Sequence, residues 1–118
     1  MIYHITSRND WQDAQATGQY RAASLETEGF IHCSTHSQVL PVAQTFYKGQ
    51  KELILLAIEP TLLSSHLKWE LPSGGAPPPG VSEKERFPHI YGPINLSAVV
   101  KVLDLESKQD GDFILPNL

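Results

Sequence analysis

ELILLAIEP, residues 52–60, is apolar at every position from Leu53 to Ile58. A strand with one solvated face alternates apolar and polar residues, whereas an unbroken run of this kind describes a strand covered on both faces. The run is therefore expected to be the central strand of a sheet. It is also far too short to cross a bilayer.

Working outward, IYHIT at residues 2–6 has strand character, and Ser7 then offers a helix cap with Asp10 three positions on. Trp11 and Ala14 share a face and Gly18 is a stop signal, so the pattern predicts a helix over 8–17. A short strand at Tyr20–Ala22 and a single turn at Ser24–Glu28 follow. GFIHCS, residues 29–34, has the residue types of a strand. VLPVAQTFY carries Val39, Val42, Ala43 and Phe46 at helical spacing, and Pro41 requires the cap to lie close by, which favours Ser37 over Thr35.

Beyond the central run, residues 60–66 read as a turn, HLKWEL at 66–71 as a strand, FPHIYG at 87–92 as another and VVKVLDL at 99–105 as the last, after a turn at PINLSA. Between them lies a Pro- and Gly-rich stretch, 72–86, which cannot pack a core and is expected to be an exposed loop. The expectation is an α+β domain over residues 1–106, of about six strands with one or two helices, and a C-terminal tail at 107–118.

With 118 residues the chain supports one core. Its hydrophobic fraction of 41% and charged fraction of 19% are those of a folded globular protein. A net charge of −4 provides no field for drawing in a nucleic-acid backbone, so double-stranded nucleic acid is not an expected partner. One cysteine, Cys33, precludes an internal disulfide, and MIYHITSRND lacks a secretory pattern, so a cytoplasmic setting without membrane insertion is expected.

Three strand-like segments each carry one histidine. Side chains alternate along a strand, which groups Phe30, His32 and Ser34 on one face, Phe87, His89 and Tyr91 on another, and His4 with Ile2 and Thr6 on a third. An imidazole titrating near ~6.5 can donate, accept or carry charge, so such a cluster suits a cleft that binds phosphate or moves a proton. Each could equally be a half-buried histidine satisfied by a backbone carbonyl. His36 and His66, at a helix start and in a polar turn, are weaker candidates. Glu70, beside Trp69, is a candidate general base or an exposed strand-end charge. Cys33 lies on the opposite face from His32 and is assigned to the core. No phosphate-binding glycine loop, zinc motif or nucleophile elbow is present.

The order YHIT, GFIHCST, a helix, the apolar strand, a Glu-bearing strand, FPHIYGPI and AVVKV resembles a bacterial family catalogued as domain of unknown function 952, over about Ile2 to Leu105. That resemblance implies a split β-sheet fold of ADP-ribosyltransferase-like type, similar to RNA 2′-phosphotransferase. There, a Tyr-His pair in the first strand and a His-bearing strand before a helix line the pocket for NAD and the RNA phosphate. Tyr3-His4 and the segment Ile31 to Ser34 look like those elements. The chain departs from the phosphotransferase at its arginines, since Arg8, Arg21 and Arg86 match none of that pocket's, and at Ile5, which stands where the phosphotransferase has glycine.

The first expectation is a cleft lined by His4, His32, Ser34, Glu70, His89 and Tyr91, with Tyr3 and Gly92 as further contacts. It would bind a nucleotide such as NAD or another phosphorylated ligand. Were it catalytic, Glu70 would stabilise charge at a ribose C1′ and His32 or His89 would serve as base or phosphate contact. A non-enzymatic module using the same cleft is the alternative. A metal site from His4, His32 and His89, with Glu70 as an optional fourth ligand, is a third, although none shows zinc-motif spacing.

Overall fold

The computed structural model describes residues 1–72 and 75–118; two residues of the predicted 72–86 loop, 73 and 74, lie outside them. Strand β1 (Ile2–Ser7) leads directly into helix α1 (Arg8–Thr17). Ser7 caps α1 through its side chain, which accepts from the Asp10 amide at 3.0 Å. Gly18 ends the helix in the left-handed conformation, φ 93°, a shape that costs a residue without a Cβ little. β2 (Gln19–Tyr20), α2 (Ala23–Thr27) and β3 (Ile31–His32) follow, then α3 (Val39–Phe46) and β4 (Leu53–Ile58). β5 (His66–Glu70), β6 (Phe87–Tyr91), β7 (Ile94–Asn95), β8 (Val99–Ser107) and β9 (Phe113–Ile114) complete the chain, with short 3-10 turns at Pro60–Leu62 and Leu96–Ala98.

The strands form a four-stranded sheet ordered β1-β4-β8-β9, a three-stranded sheet β3-β6-β5, and the small pair β2-β7. All named pairings are antiparallel. β4 sits between β1 and β8 as its unbroken apolar run requires, with no residue more than 4% exposed. Its alternate side chains feed two cores. Ile54, Leu56 and Ile58 pack with Ile31, Ile90 and Ile94; Leu53, Leu55 and Ala57 pack with Tyr3, Val39, Ala43 and Phe113. Full burial of each large residue here contributes roughly 1.5–3 kcal/mol.

Several expectations are corrected. Three α-helices occur among the described residues rather than one or two, because Ala23–Thr27 completes a turn of helix that its five residues barely signal. α3 begins at Val39, with Gln38 and not Ser37 at the cap position. Gln38 is 2% exposed, and its side chain instead accepts from the Thr35 amide and donates to the Arg86 carbonyl at 3.0 Å, fastening the end of the long loop to the helix start. The 29–34 strand shrinks to Ile31–His32, extended by an isolated bridge from Ser34 to Tyr3. Residues 107–118 contain β9, which pairs with the end of β8 and buries Phe113.

That isolated bridge is the seam between the sheets. Tyr3 and Ser34 exchange two backbone hydrogen bonds of 2.8 Å, and they are the one bridge recorded outside the named strands among the described residues. Tyr3 turns its N–H and C=O outward from the four-stranded sheet, so by alternation Ile5 does so as well. Past Tyr3 the two sheets part, and the gap they leave is the cleft described next.

Candidate functional site

A cleft of about 600 Å³ opens along the free edge of β1. Tyr3 to Ser7 form one wall, His32 to Ser34 the other, with His89 behind them. Tyr20 and α2 close one end; Phe46 and Tyr47 of the α3 end, with Pro72, Ala76 and Pro78, flank the other side. Ile5 presents its main-chain donor and acceptor to this gap.

His89 is 2% exposed and its ring is held from behind. Nδ1 lies 2.9 Å from Glu70 Oε1, and the same oxygen accepts from the Tyr91 hydroxyl at 2.5 Å. The two hydrogen bonds hold the Glu70 carboxyl below its ordinary range, so it stays ionised. Desolvation meanwhile pushes His89 below its usual value despite that carboxylate. A neutral His89 facing an ionised Glu70 must carry its proton on Nδ1. Its Nε2 then keeps a lone pair. No described residue hydrogen-bonds Nε2, and no buried side-chain polar atom among the described residues is left orphaned, so this nitrogen is reachable from the cleft.

His32 forms a second pair. Its Nε2 is 2.9 Å from Glu28 Oε2, on the turn before β3, and 45% of its side chain is exposed. Cross-strand pairing sets His32 opposite His89, and Phe30 stacks on the His89 ring at 4.2 Å while touching His32 at 4.8 Å and Tyr91 at 5.4 Å. Strand alternation thus groups the rings as the sequence indicated, although Phe30 precedes the strand proper.

His4 is different in kind. It is 5% exposed, with Nδ1 2.6 Å from the His32 carbonyl and Nε2 2.9 Å from the Tyr20 hydroxyl, which lies 2.9 Å from Thr6 Oγ1. The carbonyl can only accept, so Nδ1 carries the hydrogen. Burial lowers the His4 pKa to about 4, leaving Nε2 to accept from Tyr20. Tyr20 has then given its own proton, and Thr6 donates to it in turn. Desolvation raises the Tyr20 pKa to about 12, so the phenol keeps that proton. Both His4 nitrogens are committed to holding β1, β2 and β3 together.

Of the remaining candidates, Tyr3 and Ser34 line the cleft through the seam, while Glu70, Tyr91 and Gly92 are absent from its lining. Glu70 and Tyr91 stand behind His89. Gly92 has a packing reason: a Cβ there would come within 2.5 Å of Ser65 Oγ, which donates to the Pro93 carbonyl at 2.6 Å. His36 and His66 lie outside the lining. Cys33 is 4% exposed and burial pushes its thiol above the ordinary range, as befits a core residue. Arg8 pairs outward with Glu52 and Asp104, and Arg21 with Glu26. Among the described residues, no three His, Cys, Asp or Glu side chains are grouped to hold a metal ion. None of their helices is long and apolar enough to cross a membrane.

Tyr20, Glu28 and Asp10 belong to the cleft but carry no sequence signal. Glu28 and His32 are four apart, yet a glycine and a strand start intervene. Only the i,i+4 spacing could have hinted at the pair.

Similar structures cover nearly the whole chain. Two crystal structures of protein CC0527 from Caulobacter crescentus superpose with a TM-score of 0.81, covering 97% of this chain and 93% of that one. Identity is 38% for one and 37% for the other, a double mutant of the same protein. The solution NMR structure of CC0527 gives 0.75 at 38% identity, covering 94% and 89%. No curated protein matches. Residues 5–102 match the family described as "Protein of unknown function (DUF952)", and with that span the chain belongs to this family.

Proposed function

We propose that the protein binds a small organic ligand, a nucleotide or another phosphorylated molecule, in the cleft between its two sheets, and that His89 Nε2 is the group able to take a proton there. The observation that carries this reading is the one-sided hydrogen bonding of His89, whose Nδ1 meets Glu70 and whose Nε2 meets no described residue. A structural histidine has both nitrogens occupied, as His4 does, whereas His89 is oriented by Glu70 on one side and left free on the other. Such an arrangement is how a general base is held ready. Glu70 is then a positioning residue, remote from any bound sugar.

The ADP-ribosyltransferase-like type is part of the proposal. It is supported by the split between the sheets, by Tyr3-His4 on the first strand, and by the Ile5 main chain, which offers a donor and an acceptor suited to a carboxamide. NAD and ADP-ribose are accordingly the first ligands to titrate, with a 2′-phosphorylated dinucleotide beside them. Amide chemical shifts converging on Tyr3 to Ile5, His32 to Ser34 and His89 are expected. Affinity should fall in His32→Ala and His89→Ala; undiminished affinity in both would sink the assignment.

A non-catalytic binding module is the second reading, favoured by a specific observation: no lysine or arginine among the described residues lines the cleft. Nicotinamide release, or phosphate transfer from a 2′-phosphorylated RNA, by the purified protein decides between the two.

A further inference from the structure

Strand β5 has a free edge. One side of it pairs with β6, and no strand among the described residues pairs with the other. The Pro88 carbonyl accepts from the Cys33 amide at 3.0 Å, so Pro88 turns its main chain toward β3. Alternation then turns Phe87, His89 and Tyr91 toward β5, and their partners Glu70, Lys68 and His66 commit their main-chain groups to β6. Leu67 and Trp69 point their N–H and C=O at the free edge, and Leu71, kept extended by the following Pro72, continues the row. Such an edge is a template for another strand. The outer edge of β8 is less open, since its ladder is bulged at one end and β9 covers the other.

The side chains along this edge are unsatisfied within the chain. Trp69 is 46% exposed and Leu71 52%, although both are apolar. On the other face of the strand, the Lys68 ammonium lies over the Tyr91 ring at 4.9 Å and pairs with no carboxylate of the described residues. Glu70 is partly exposed and ionised. Both hydrogen bonds that it accepts use Oε1, which leaves Oε2 without a hydrogen-bond partner among the described residues. One strand edge thus carries a cation, an anion and two apolar side chains, each with capacity to spare.

We propose that β5 pairs antiparallel with β5 of a second copy of this chain, across a twofold axis at Trp69, which joins two three-stranded sheets into one. Such an axis sets residues equidistant from its centre opposite each other and on the same face. Centred on Trp69, the register places Lys68 against Glu70 of the second copy at two symmetric positions, and Leu67 against Leu71 likewise. The outward main chains of Leu67, Trp69 and Leu71 meet in about six hydrogen bonds. Charge selects this register: centring on Lys68 or on Glu70 sets a charge against itself, and centring on Leu67 sets Lys68 against His66. The contact is short, in the size range of transient interfaces, so the dimer forms at about 0.1–1 mM chain. It does not rest on the ligand reading, because none of Leu67, Lys68, Trp69, Glu70 and Leu71 lines the cleft.

The test is sedimentation of the full chain from about 10 µM to 1 mM at low salt, where monomer is expected to pass into dimer. Lys68→Glu or Glu70→Lys alone sets like charges opposite each other at both positions and should weaken association at least about tenfold. Mixed in equal amounts, the two variants present opposite charges to each other at both positions, and association should return. A second measurement needs no substitution: amide exchange of Trp69, whose N–H points outward, should slow with rising concentration by more than that of Lys68, whose N–H is bonded to β6. Four results overturn the proposal: a wild type that stays monomeric across the range, a single variant that associates like wild type, a mixture that stays monomeric, or a Trp69 amide indifferent to concentration. A monomeric wild type would leave the edge to an extended peptide instead.

Discussion

The four-stranded sheet and the three-stranded sheet come from the same chain and share a core, yet they answer to different demands. In the first, β4 is closed on both faces by apolar side chains and has no polar side chain to satisfy. In the second, β5 is largely exposed, and β3 and β6 face His32 and His89 toward an opening. The unbroken apolar strand lies on one side of the seam, and the His32 and His89 rings lie on the other. The contrast extends to the histidines themselves: His4, on the apolar sheet, is saturated, and His89, across the gap, is half free.

The largest expected effect lies in β4. Leu55→Ala should cost about 2–5 kcal/mol, since the side chain is 0% exposed and its neighbours can collapse only in part. Leu67→Ala in half-exposed β5 should cost less than half of that. Urea unfolding of both variants checks the comparison, and equal losses would break it.

Acid comes next. Protonation of His4 is resisted in the folded state, with its pKa moved from 6.5 to about 4, while the unfolded chain takes the proton near its ordinary value. The unfolded state therefore binds more protons as pH drops from 6.5 towards 4. Stability present above this window should decline across it by about 3 kcal/mol, with His89 adding in the same direction. His4→Gln should be less stable at neutral pH and have a flatter profile. A wild-type urea midpoint that is constant from pH 7 to 4.5 would contradict the account of His4.

The smallest change in stability, but the sharpest discrimination between the two histidines, is expected from Glu70→Ala. The residue is partly exposed and little should happen to the unfolding midpoint. Ring nitrogen shifts of His89 should nevertheless move from the Nδ1–H form toward the Nε2–H form, while those of His4 stay put. A simultaneous change at His4 would mean that the two sites are not separate.

What was legible in the sequence was local. The Ser7 cap, the Gly18 stop and the apolar run of β4 each act within a few residues, and the fold obeyed them. Alternation along FIHCS and FPHIY likewise put Phe30, His32, His89 and Tyr91 in one ring cluster. The candidate site was less legible, because its chemistry depends on partners far apart in the chain. Nothing near His4 announces that Tyr20 will occupy its second nitrogen, and nothing near Glu70 announces that it will stand behind His89 and not in the cleft. Ser37 was a sound local cap, yet Gln38 took that position, where the Thr35 amide and the Arg86 carbonyl offer its side-chain amide two main-chain partners.

The Tyr3–Ser34 seam has a mechanical consequence. Two short hydrogen bonds join the sheets at one point on the free edge of β1, while the shared apolar core and the His4 bonds to His32 and Tyr20 hold them together behind it. An occupant that spans from the Ile5 edge to the β3 wall would add a fastener on the open side. Slower amide exchange along β1 would then report that the cleft is filled.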